Sequence, residues 1–257
     1  MGHEEKWAGY GAVLCLAALL TIIALSVSSC GTRPSETELR IAVASNFKEP
    51  ATELVKRFQE RTGRNVTVTL GSTGKLYAQI RNGAPFAVFL AADAERPELL
   101  EKEIAAARGS RFTYAVGKLV LWSPDPKLVD NGGKVLESDF GKLAIANPKL
   151  APYGAAAEEV LRKRGLWDKV ERRLVRGENI GQTFQFVSTG NAELGFVALS
   201  QAKGRIGSLW EVPKELYTPI EQQAVLLSGD EGAREFLEFL KSEEAKELIR
   251  EFGYDTR

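Results

Sequence analysis

Apolar residues along the chain follow two alternating periodicities after about residue 38. Continuous apolar runs at 39–44, 66–70 and 88–91 are typical of buried strands. Between them, the segments 50–62 and 75–81 have apolar residues at helical spacing and predict helices. The first third of the chain therefore alternates between strand and helix.

The same alternation restarts in the middle of the chain. It follows a longer apolar stretch at 111–122, which predicts strands that leave the first sheet. Further strands are predicted at 143–146, 173–175, 194–198 and 222–227, and further helices at 154–164, from Ile180, and in two segments after 227. Such alternation favours an α/β fold, in which helices cover both faces of parallel sheets.

Two runs of this pattern predict two lobes, with the chain crossing between them twice. We expect 38–113 and 222–257 to form lobe 1, and 114–221 to form lobe 2. The 257 residues, 44% of them apolar, suffice for two such cores. In sheets of this kind, ligands bind at the carboxyl ends of the strands. We therefore expect the ligand of this chain in a cleft between the lobes.

The first 37 residues have the pattern of an export signal followed by a tether. An apolar run at 12–25 has the length of a signal-peptide core and is short for a membrane span. It ends in Val-Ser-Ser-Cys at 27–30, which resembles a bacterial lipobox. We therefore expect a lipoprotein signal peptide at 1–29, lipidation of Cys30 and a tether at 30–37. An ordinary signal peptide and an uncleaved anchor are the alternatives.

The charge balance and the positions of the histidine and the cysteines argue against several classes of function. Lysine plus arginine and aspartate plus glutamate number 34 each, so the balance gives no support for nucleic acid as a partner. The only histidine, His3, and the only cysteines, Cys15 and Cys30, precede residue 38. The chain beyond them has no disulfide, no histidine for acid–base catalysis and few ligands for transition-metal cations.

Two short polar segments follow the first two predicted strands. Ser45 and Asn46 come after the first strand, and Ser72 and Thr73, between two glycines, come after the second. Hydroxyls and N–H groups at strand-to-helix turns converge on a helix N-terminus, which favours an anion. Two such turns suggest that one oxyanion is bound from two sides, although a simple capping turn would explain the second.

Two further strand-to-helix turns lie in the second predicted lobe. The hydroxyl of Tyr153 could reach into the cleft and donate to an oxyanion, or the residue could be a partly exposed loop aromatic. Ile180 opens a helix and has a free first-turn N–H, whatever its side chain. Asp93 follows a strand, and we interpret it as a helix cap rather than a ligand.

Two enzyme motifs are matched only in part. Ser45 and Lys48 fit the S-x-x-K nucleophile signature of penicillin-interactive serine enzymes, but their S-D-N element fails at Phe140 and K-T-G is missing. The segment 71–75 contains half of a phosphate-binding P-loop without its spacing, and Leu76 replaces the hydroxyl that binds Mg²⁺. We expect no enzyme, and a Ser45/Lys48 acyl-transfer enzyme stays an alternative.

Several short stretches carry a family pattern through their order and spacing. They include Ile-Ala-Val-Ala-Ser-Asn at 41–46 and Pro-Tyr-Gly at 152–154, and the others lie at 83–93, 112–123, 147–148, 194–198 and 253–254. Together they resemble the substrate-binding proteins of ABC-type molybdate importers, over nearly the whole chain after the leader. The resemblance implies a two-lobed periplasmic-binding-protein fold of type II, with parallel-rich sheets and a two-strand hinge.

The resemblance also implies a ligand and the residues that hold it. Molybdate or tungstate would lie between the lobes without cationic side chains. From lobe 1, Ser45 would supply a hydroxyl and an N–H, and Asn46 a backbone donor. Thr73 would supply a second hydroxyl, with assistance from Ser72.

From lobe 2, the resemblance implies backbone N–H groups of Tyr153 and Ile180 as donors. Some family members add a phenol from a tyrosine at the position of Ala198 in this chain. The departure keeps open a binding protein for another oxyanion such as sulfate, or for a small organic acid. An organic acid would call for a cleft arginine, for which Arg96 and Arg176 are the candidates.

The function that the resemblance implies is capture and delivery of the oxyanion. We expect an extracytoplasmic protein, periplasmic or at the cell surface, that is held to a bacterial membrane through a lipid on Cys30. Its partners would be an ABC permease and its ATPase, and it would act as a monomer, without nucleic acid or cofactor. A ligand sensor without a transporter is the remaining alternative.

Overall fold

The computed structural model describes residues 38–257, without the side chain of Ala106. The expected signal peptide, the expected lipidation of Cys30 and the tether lie outside the described residues. Among the helices of the described part, none has both the length and the apolar character needed to cross a bilayer.

Ten strands and nine α-helices build the described part of the chain. The strands are β1 (Leu39–Ala44), β2 (Val66–Gly71), β3 (Val88–Leu90), β4 (Phe112–Gly117), β5 (Leu119–Ser123), β6 (Leu143–Ala146), β7 (Leu174–Gly177), β8 (Leu194–Ala198), β9 (Ser208–Glu211) and β10 (Ile220–Leu226). The helices are α1 (Lys48–Thr62), α2 (Thr73–Arg81), α3 (Glu95–Glu103), α4 (Pro152–Lys163), α5 (Trp167–Val170), α6 (Ile180–Ser188), α7 (Leu199–Ala202), α8 (Glu231–Lys241) and α9 (Glu243–Glu251).

The strands form two mixed sheets of five, one in each lobe. Sheet 1 has the order β2-β1-β3-β10-β4, in which β1, β2 and β3 are parallel and β10 runs against its neighbours. Sheet 2 has the order β7-β6-β8-β5-β9, in which β6, β7 and β8 are parallel and β5 is antiparallel. The predicted α/β fold with two lobes and parallel-rich sheets is confirmed.

A pair of neighbouring strands connects the two lobes. The chain leaves sheet 1 after β4 and returns to it in β10, and these strands pair with Gly117 opposite Ile220. The prediction that 111–122 leaves the first sheet is correct for β5 and wrong for β4. The local pattern could not reveal β4's partner, because β10 lies about a hundred residues further along the chain.

Apolar helix faces pack on both sheets and fix the positions of the helix ends. Phe58 of α1 contacts Phe236 of α8, with ring centroids 5.2 Å apart and planes at 89°. In lobe 2, Val160 and Leu161 of α4 are fully buried in the core around sheet 2. Burial of one such side chain stabilises the fold by roughly 1.5–3 kcal/mol. The helices are therefore held firmly at the sheet edges where they begin.

Most predicted elements are confirmed, although their ends shift by a residue or two. Helix α2 starts at Thr73 because the Ser72 hydroxyl oxygen accepts a hydrogen bond from the Lys75 N–H and caps the helix. The apolar pattern did not predict α3, which contains Pro97 and was indicated only by Asp93 as a helix cap. It also missed α5, α7 and β9, which have four residues each. These elements lack the periodic apolar signal of their neighbours.

Candidate functional site

A small cavity lies between the lobes, where strands of both sheets end. It is small, with about 10 Å³ of room for the centre of a water-sized sphere, which is about the least that holds one water molecule. It is lined by Ala44, Ser45, Asn46, Gly71, Ser72, Thr73, Ala92, Ala151, Pro152, Tyr153 and Ile180. The six residues selected from the sequence are all in this wall, and no lining residue carries a formal charge. Their binding of a ligand stays a prediction.

The registers of the two sheets bring these residues together. Ala44 pairs with Gly71 at the ends of β1 and β2, and Ala146 pairs with Gly177 at the ends of β6 and β7. Because the ends of parallel strands are aligned, the segments that follow them meet at one edge of each sheet. The two edges face one another across the cavity.

Three helices point their N-termini at the cavity. Thr73 is the first residue of α2, Tyr153 the second of α4, and Ile180 the first of α6. The first N–H groups of an α-helix have no acceptor within the helix. They also carry the positive end of the helix dipole. The cavity therefore lies where backbone donors and partial positive charge converge.

The same three helices differ from the others in their first turns. Every other helix of nine or more residues in the described part has an acidic residue there, for example Glu49 in α1 and Glu231 in α8. Helices α2, α4 and α6 have none. An acidic first turn neutralises the helix N-terminus, so its absence leaves the positive potential available to an anion.

Hydrogen bonds from backbone N–H groups of lobe 1 orient two hydroxyls in the wall. Thr73 Oγ1 accepts a hydrogen bond from the Ala92 N–H at 3.1 Å, and Ser72 Oγ accepts one from the Lys75 N–H at 3.4 Å. Each hydroxyl oxygen is thus occupied as an acceptor, and its hydrogen is free to be donated. Both side chains are almost completely buried.

Ser45 makes a different set of hydrogen bonds, across the cleft. Its Oγ donates to Asn179 Oδ1 at 3.1 Å and accepts from the Gly181 N–H at 3.2 Å. Lys48, the second residue of the S-x-x-K motif, is exposed and pairs with Glu49 at 3.7 Å. Among residues 38–257, the hydrogen-bond partners of the Ser45 hydroxyl are therefore Asn179 and Gly181, and neither is a lysine base.

A buried polar network lies directly behind the cavity and joins the lobes. The Asn46 amide donates to Gln222 Oε1 at 2.8 Å and to the Tyr254 hydroxyl at 3.1 Å. Gln222 Nε2 in turn donates to the Tyr153 hydroxyl of lobe 2 at 3.2 Å. The Asn46 side chain is thus committed to the network, which leaves its backbone N–H for a ligand.

The phenol of Tyr153 belongs to this network. Burial raises the pKa of Tyr153 well above its ordinary value and raises the pKa of Tyr254 to about 12. Both phenols therefore stay neutral in the physiological pH range. Gly117 leaves room for the Tyr153 ring, because a Cβ there would lie 2.1 Å from the Tyr153 hydroxyl oxygen. The sequence left open whether the Tyr153 hydroxyl enters the cleft. In the structure, this hydroxyl accepts a hydrogen bond from Gln222.

Comparison with known families agrees with this geometry. The family model for bacterial extracellular solute-binding proteins matches residues 39–255, which is nearly all of the described chain. The chain belongs to this family. The two lobes, the hinge of two strands and the cavity between the lobes are the parts of a solute-binding protein.

Two relatives with high sequence identity to this solute-binding protein are molybdate-binding proteins. The chain is 53% identical to a molybdate-binding protein of Rhodobacter capsulatus over 85% of this chain and 88% of the relative. It is 49% identical to a molybdate-binding protein of Azotobacter vinelandii over 91% of this chain and 96% of the relative.

Solved structures also include a molybdate-binding protein that is similar to this chain. The periplasmic molybdate-binding protein of Azotobacter vinelandii is similar with a TM-score of 0.82 and 43% identity, covering 85% of this chain and 99% of that one. A sulfate-binding protein of Mycobacterium tuberculosis has a TM-score of 0.66 at 14% identity, which shows a shared fold alone. The resemblance found in the sequence is thereby confirmed.

The two candidate arginines of the solute-binding protein do not line the cavity. Arg96 pairs with Asp93 and donates to the Lys149 carbonyl oxygen of lobe 2 at 3.4 Å. Arg176 is half exposed and lies 4.0 Å from Glu171. Asp93 also accepts from the Arg96 N–H at 3.1 Å, as expected of a residue that caps α3. Within residues 38–257, no group of acidic side chains could hold a metal cation.

The sequence patterns missed two residues that support the cavity from outside its wall. Asn179 caps α6 and binds Ser45, and its position directly before a predicted helix start was the available signal. Gln222 connects Asn46 to Tyr153, but its partners are 69 and 176 residues away in sequence, so no local pattern could identify it.

Proposed function

We propose that this solute-binding protein captures molybdate, with tungstate as a near equal, in the cavity between its lobes. The observation that carries the proposal is a cavity lined by uncharged residues, with hydroxyl and backbone N–H donors, at the meeting point of three helix N-termini that lack acidic first turns. The names of its close relatives support the same ligand.

The donor set fits a fully deprotonated tetrahedral dianion. Such an ion accepts hydrogen bonds at all four oxygens and donates none, so it needs donors only. Ser45, Asn46, Tyr153 and Ile180 would donate backbone N–H groups, and Ser45 would also supply its hydroxyl. Thr73 would add its hydroxyl, which is free to donate because its oxygen already accepts from Ala92, and Ser72 would assist.

Selection against phosphate follows from the same wall. Phosphate keeps a proton at neutral pH and requires an acceptor, but the wall offers donors. An unpaired hydroxyl costs about 1–3 kcal/mol when buried, which corresponds to roughly fivefold to 150-fold weaker binding. Sulfate has the same charge as molybdate, so the size of the cavity must reject it.

The lobes would close on the ion, and the closed form would present it to an ABC permease and its ATPase. No chemistry would be performed on the ion, so the protein would not be an enzyme and would need no cofactor. We place the protein outside the cytoplasm, in the periplasm or at the cell surface, held as a monomer by a lipid on Cys30. Mass spectrometry of the protein from membranes, before and after removal of the acyl chains, tests the anchor.

Calorimetry of the purified protein with four sodium salts tests the ligand. Molybdate and tungstate should bind one ion per chain, and phosphate should bind at least about fivefold more weakly. Sulfate should also bind more weakly than molybdate. Equal affinity for sulfate would overturn the selectivity, and no heat with molybdate or tungstate would overturn the proposed function.

A general oxyanion-binding protein is the second candidate. Ala198 is fully buried at the end of β8 and provides no phenol, where some molybdate-binding relatives are expected to have a tyrosine donor. With one donor fewer, discrimination between ions of equal charge would rest on cavity size alone. The sulfate titration decides between this candidate and the first.

A further inference from the structure

Gln222 is a fully buried amide near the start of β10, the strand by which the chain returns to sheet 1. Both ends of its amide are used. The Oε1 atom accepts from the Asn46 side-chain amide at 2.8 Å, and Nε2 donates to the Tyr153 hydroxyl at 3.2 Å. Asn46 and Tyr153 line the cavity from different lobes. One side chain next to the hinge therefore holds a wall residue of each lobe.

The pairing of β10 with β4 is irregular at this residue. The register advances by two residues of β4 between Gln222 and Gln223, which leaves Tyr114 without a partner in the ladder. Such a bulge changes the direction of nearby side chains. The Tyr114 hydroxyl lies 3.1 Å from Gln222 Oε1, so two donors, from Tyr114 and Asn46, face this oxygen. The amide is thus held in one orientation.

We infer that Gln222 is a positioning residue for anion binding, which aligns the backbone donors of both lobes through Asn46 and Tyr153 and places a neutral group directly behind the cavity. Gln222 itself does not line the cavity, so it acts on the ion through these two residues. A glutamate would have nearly the same shape, but its carboxylate would repel a dianion. This inference rests on the proposed function.

A comparison of two neighbouring glutamines tests the positioning. Gln223 is also buried, but it bonds to Arg111 and Thr113, which do not line the cavity. Gln222→Leu and Gln223→Leu should both lower Tm, because each leaves buried polar partners unpaired. Only Gln222→Leu should weaken molybdate binding in calorimetry, by about tenfold.

Gln222→Glu adds a charge behind the cavity that depends on pH. At about pH 8.5 the carboxylate should repel the bound dianion and weaken molybdate binding at least about tenfold. Burial and the nearby dianion both favour the protonated carboxyl, which keeps one donor and one acceptor as the amide does. The affinity of this variant should therefore recover as the pH is lowered to about 5.5, and binding should take up a proton.

The groups that face Gln222 do not titrate in this range. They are three phenols whose pKa values are raised by burial, those of Tyr114, Tyr153 and Tyr254. The charge of Asp93 acts on Tyr114, and Asp93 is present in every variant. The pH profile of the wild-type protein is therefore the baseline for the profile of Gln222→Glu.

Gln223→Glu is the matched control, because its carboxylate would pair with the Arg111 guanidinium. Its molybdate affinity should stay close to that of wild type at each pH. Weaker binding in Gln222→Leu alone, together with a pH-dependent affinity in Gln222→Glu alone, would support the inference.

Equal molybdate affinities in Gln222→Leu and Gln223→Leu would overturn the inference. Wild-type affinity of Gln222→Glu at about pH 8.5, or a loss that does not change with pH, would also overturn it. If Gln222→Leu does not fold, the pH profile of Gln222→Glu decides. A wild-type protein that binds no molybdate would instead refute the proposed function on which the inference rests.

Discussion

Single polar groups in the cavity wall are each held by a hydrogen bond to a neighbouring residue. Ala92 donates to the Thr73 hydroxyl oxygen, and Gln222 and Tyr254 accept the amide hydrogens of Asn46. Groups that are already held in one orientation lose little freedom when a ligand arrives. Strong binding by neutral donors depends on this preorganisation.

Thr73→Val tests a single hydroxyl in this wall. The substitution keeps the side-chain shape and removes one charge-assisted hydrogen bond, which contributes roughly 1.5–3 kcal/mol. Molybdate affinity, measured by calorimetry, should fall about tenfold to a hundredfold. The variant should also be less stable, because the buried Ala92 N–H loses its acceptor. Thr73→Ser, the matched control, should stay within about threefold of wild type, and an equal loss in both variants would refute a role for the hydroxyl.

Gly117→Ala tests the room that Tyr153 needs. The new Cβ would lie 2.1 Å from the Tyr153 hydroxyl oxygen and 2.7 Å from Gln222 Nε2, so the ring must move. We expect a loss of about 1–3 kcal/mol in the free energy of unfolding and at least about tenfold weaker molybdate binding. Gly229→Ala is the control, because a Cβ there meets nothing within 4 Å. Wild-type affinity in Gly117→Ala would show that the position of Tyr153 is unimportant.

Individual residues of the site differ in how readily the sequence predicts them. Ser45 and Thr73 are hydroxyls directly after apolar strands, a pattern that predicts an anion site from parallel-sheet geometry alone. Ile180 contributes a backbone group, so only its place at a helix start and the family resemblance identify it. Asn179 and Gln222 act through partners far away in sequence, which only the folded chain brings into contact.

At the scale of elements, the N-termini of three helices make the electrostatic potential at the cavity positive. Helices α2, α4 and α6 begin at the cavity without an acidic residue, whereas α3 and α9 each have two in the first turn. This contrast can be read from the sequence once helix starts are known.

Lys75→Glu tests whether an acid-free first turn matters. Lys75 lies in the first turn of α2 and pairs with Glu178 of lobe 2 at 2.6 Å, with both side chains well exposed. A glutamate there should repel the bound dianion and weaken molybdate binding about tenfold at low salt. Lys75→Gln, which removes only the exposed ion pair, should change it by no more than about threefold. The difference between the variants should shrink in high salt, and equal affinities at low salt would argue against the electrostatic account.

The whole molecule is organised around contacts that join two lobes on a narrow hinge. Besides the Ser45 link, the Gly74 N–H donates to the Leu150 carbonyl oxygen at 2.9 Å, and Ser200 bonds to Asn46 and Tyr254. The pattern of strands and helices predicted the two lobes. It could not predict these contacts, because they join residues more than fifty positions apart.

Alkaline unfolding tests the buried network that ties the lobes together. Below pH 10, tyrosine is neutral in both the folded and the unfolded chain. Above pH 10, tyrosine ionises in the unfolded chain, but burial in the folded chain raises the pKa of Tyr254 to about 12 and keeps it protonated. The free energy of unfolding should therefore fall as pH rises from 10 to 12. In urea titrations, Tyr254→Phe should start less stable and fall less steeply, and parallel curves would contradict this.

The central claim is that neutral donors alone hold a bare metal-oxide dianion between the lobes. Diffraction from crystals grown with molybdate, recorded at the molybdenum absorption edge, locates the metal directly. We predict one anomalous peak in the cavity, with oxygens within hydrogen-bond distance of the backbone N–H groups of Ser45, Asn46, Tyr153 and Ile180 and the Thr73 hydroxyl. A peak elsewhere, or one in contact with a lysine or arginine side chain, would contradict the claim.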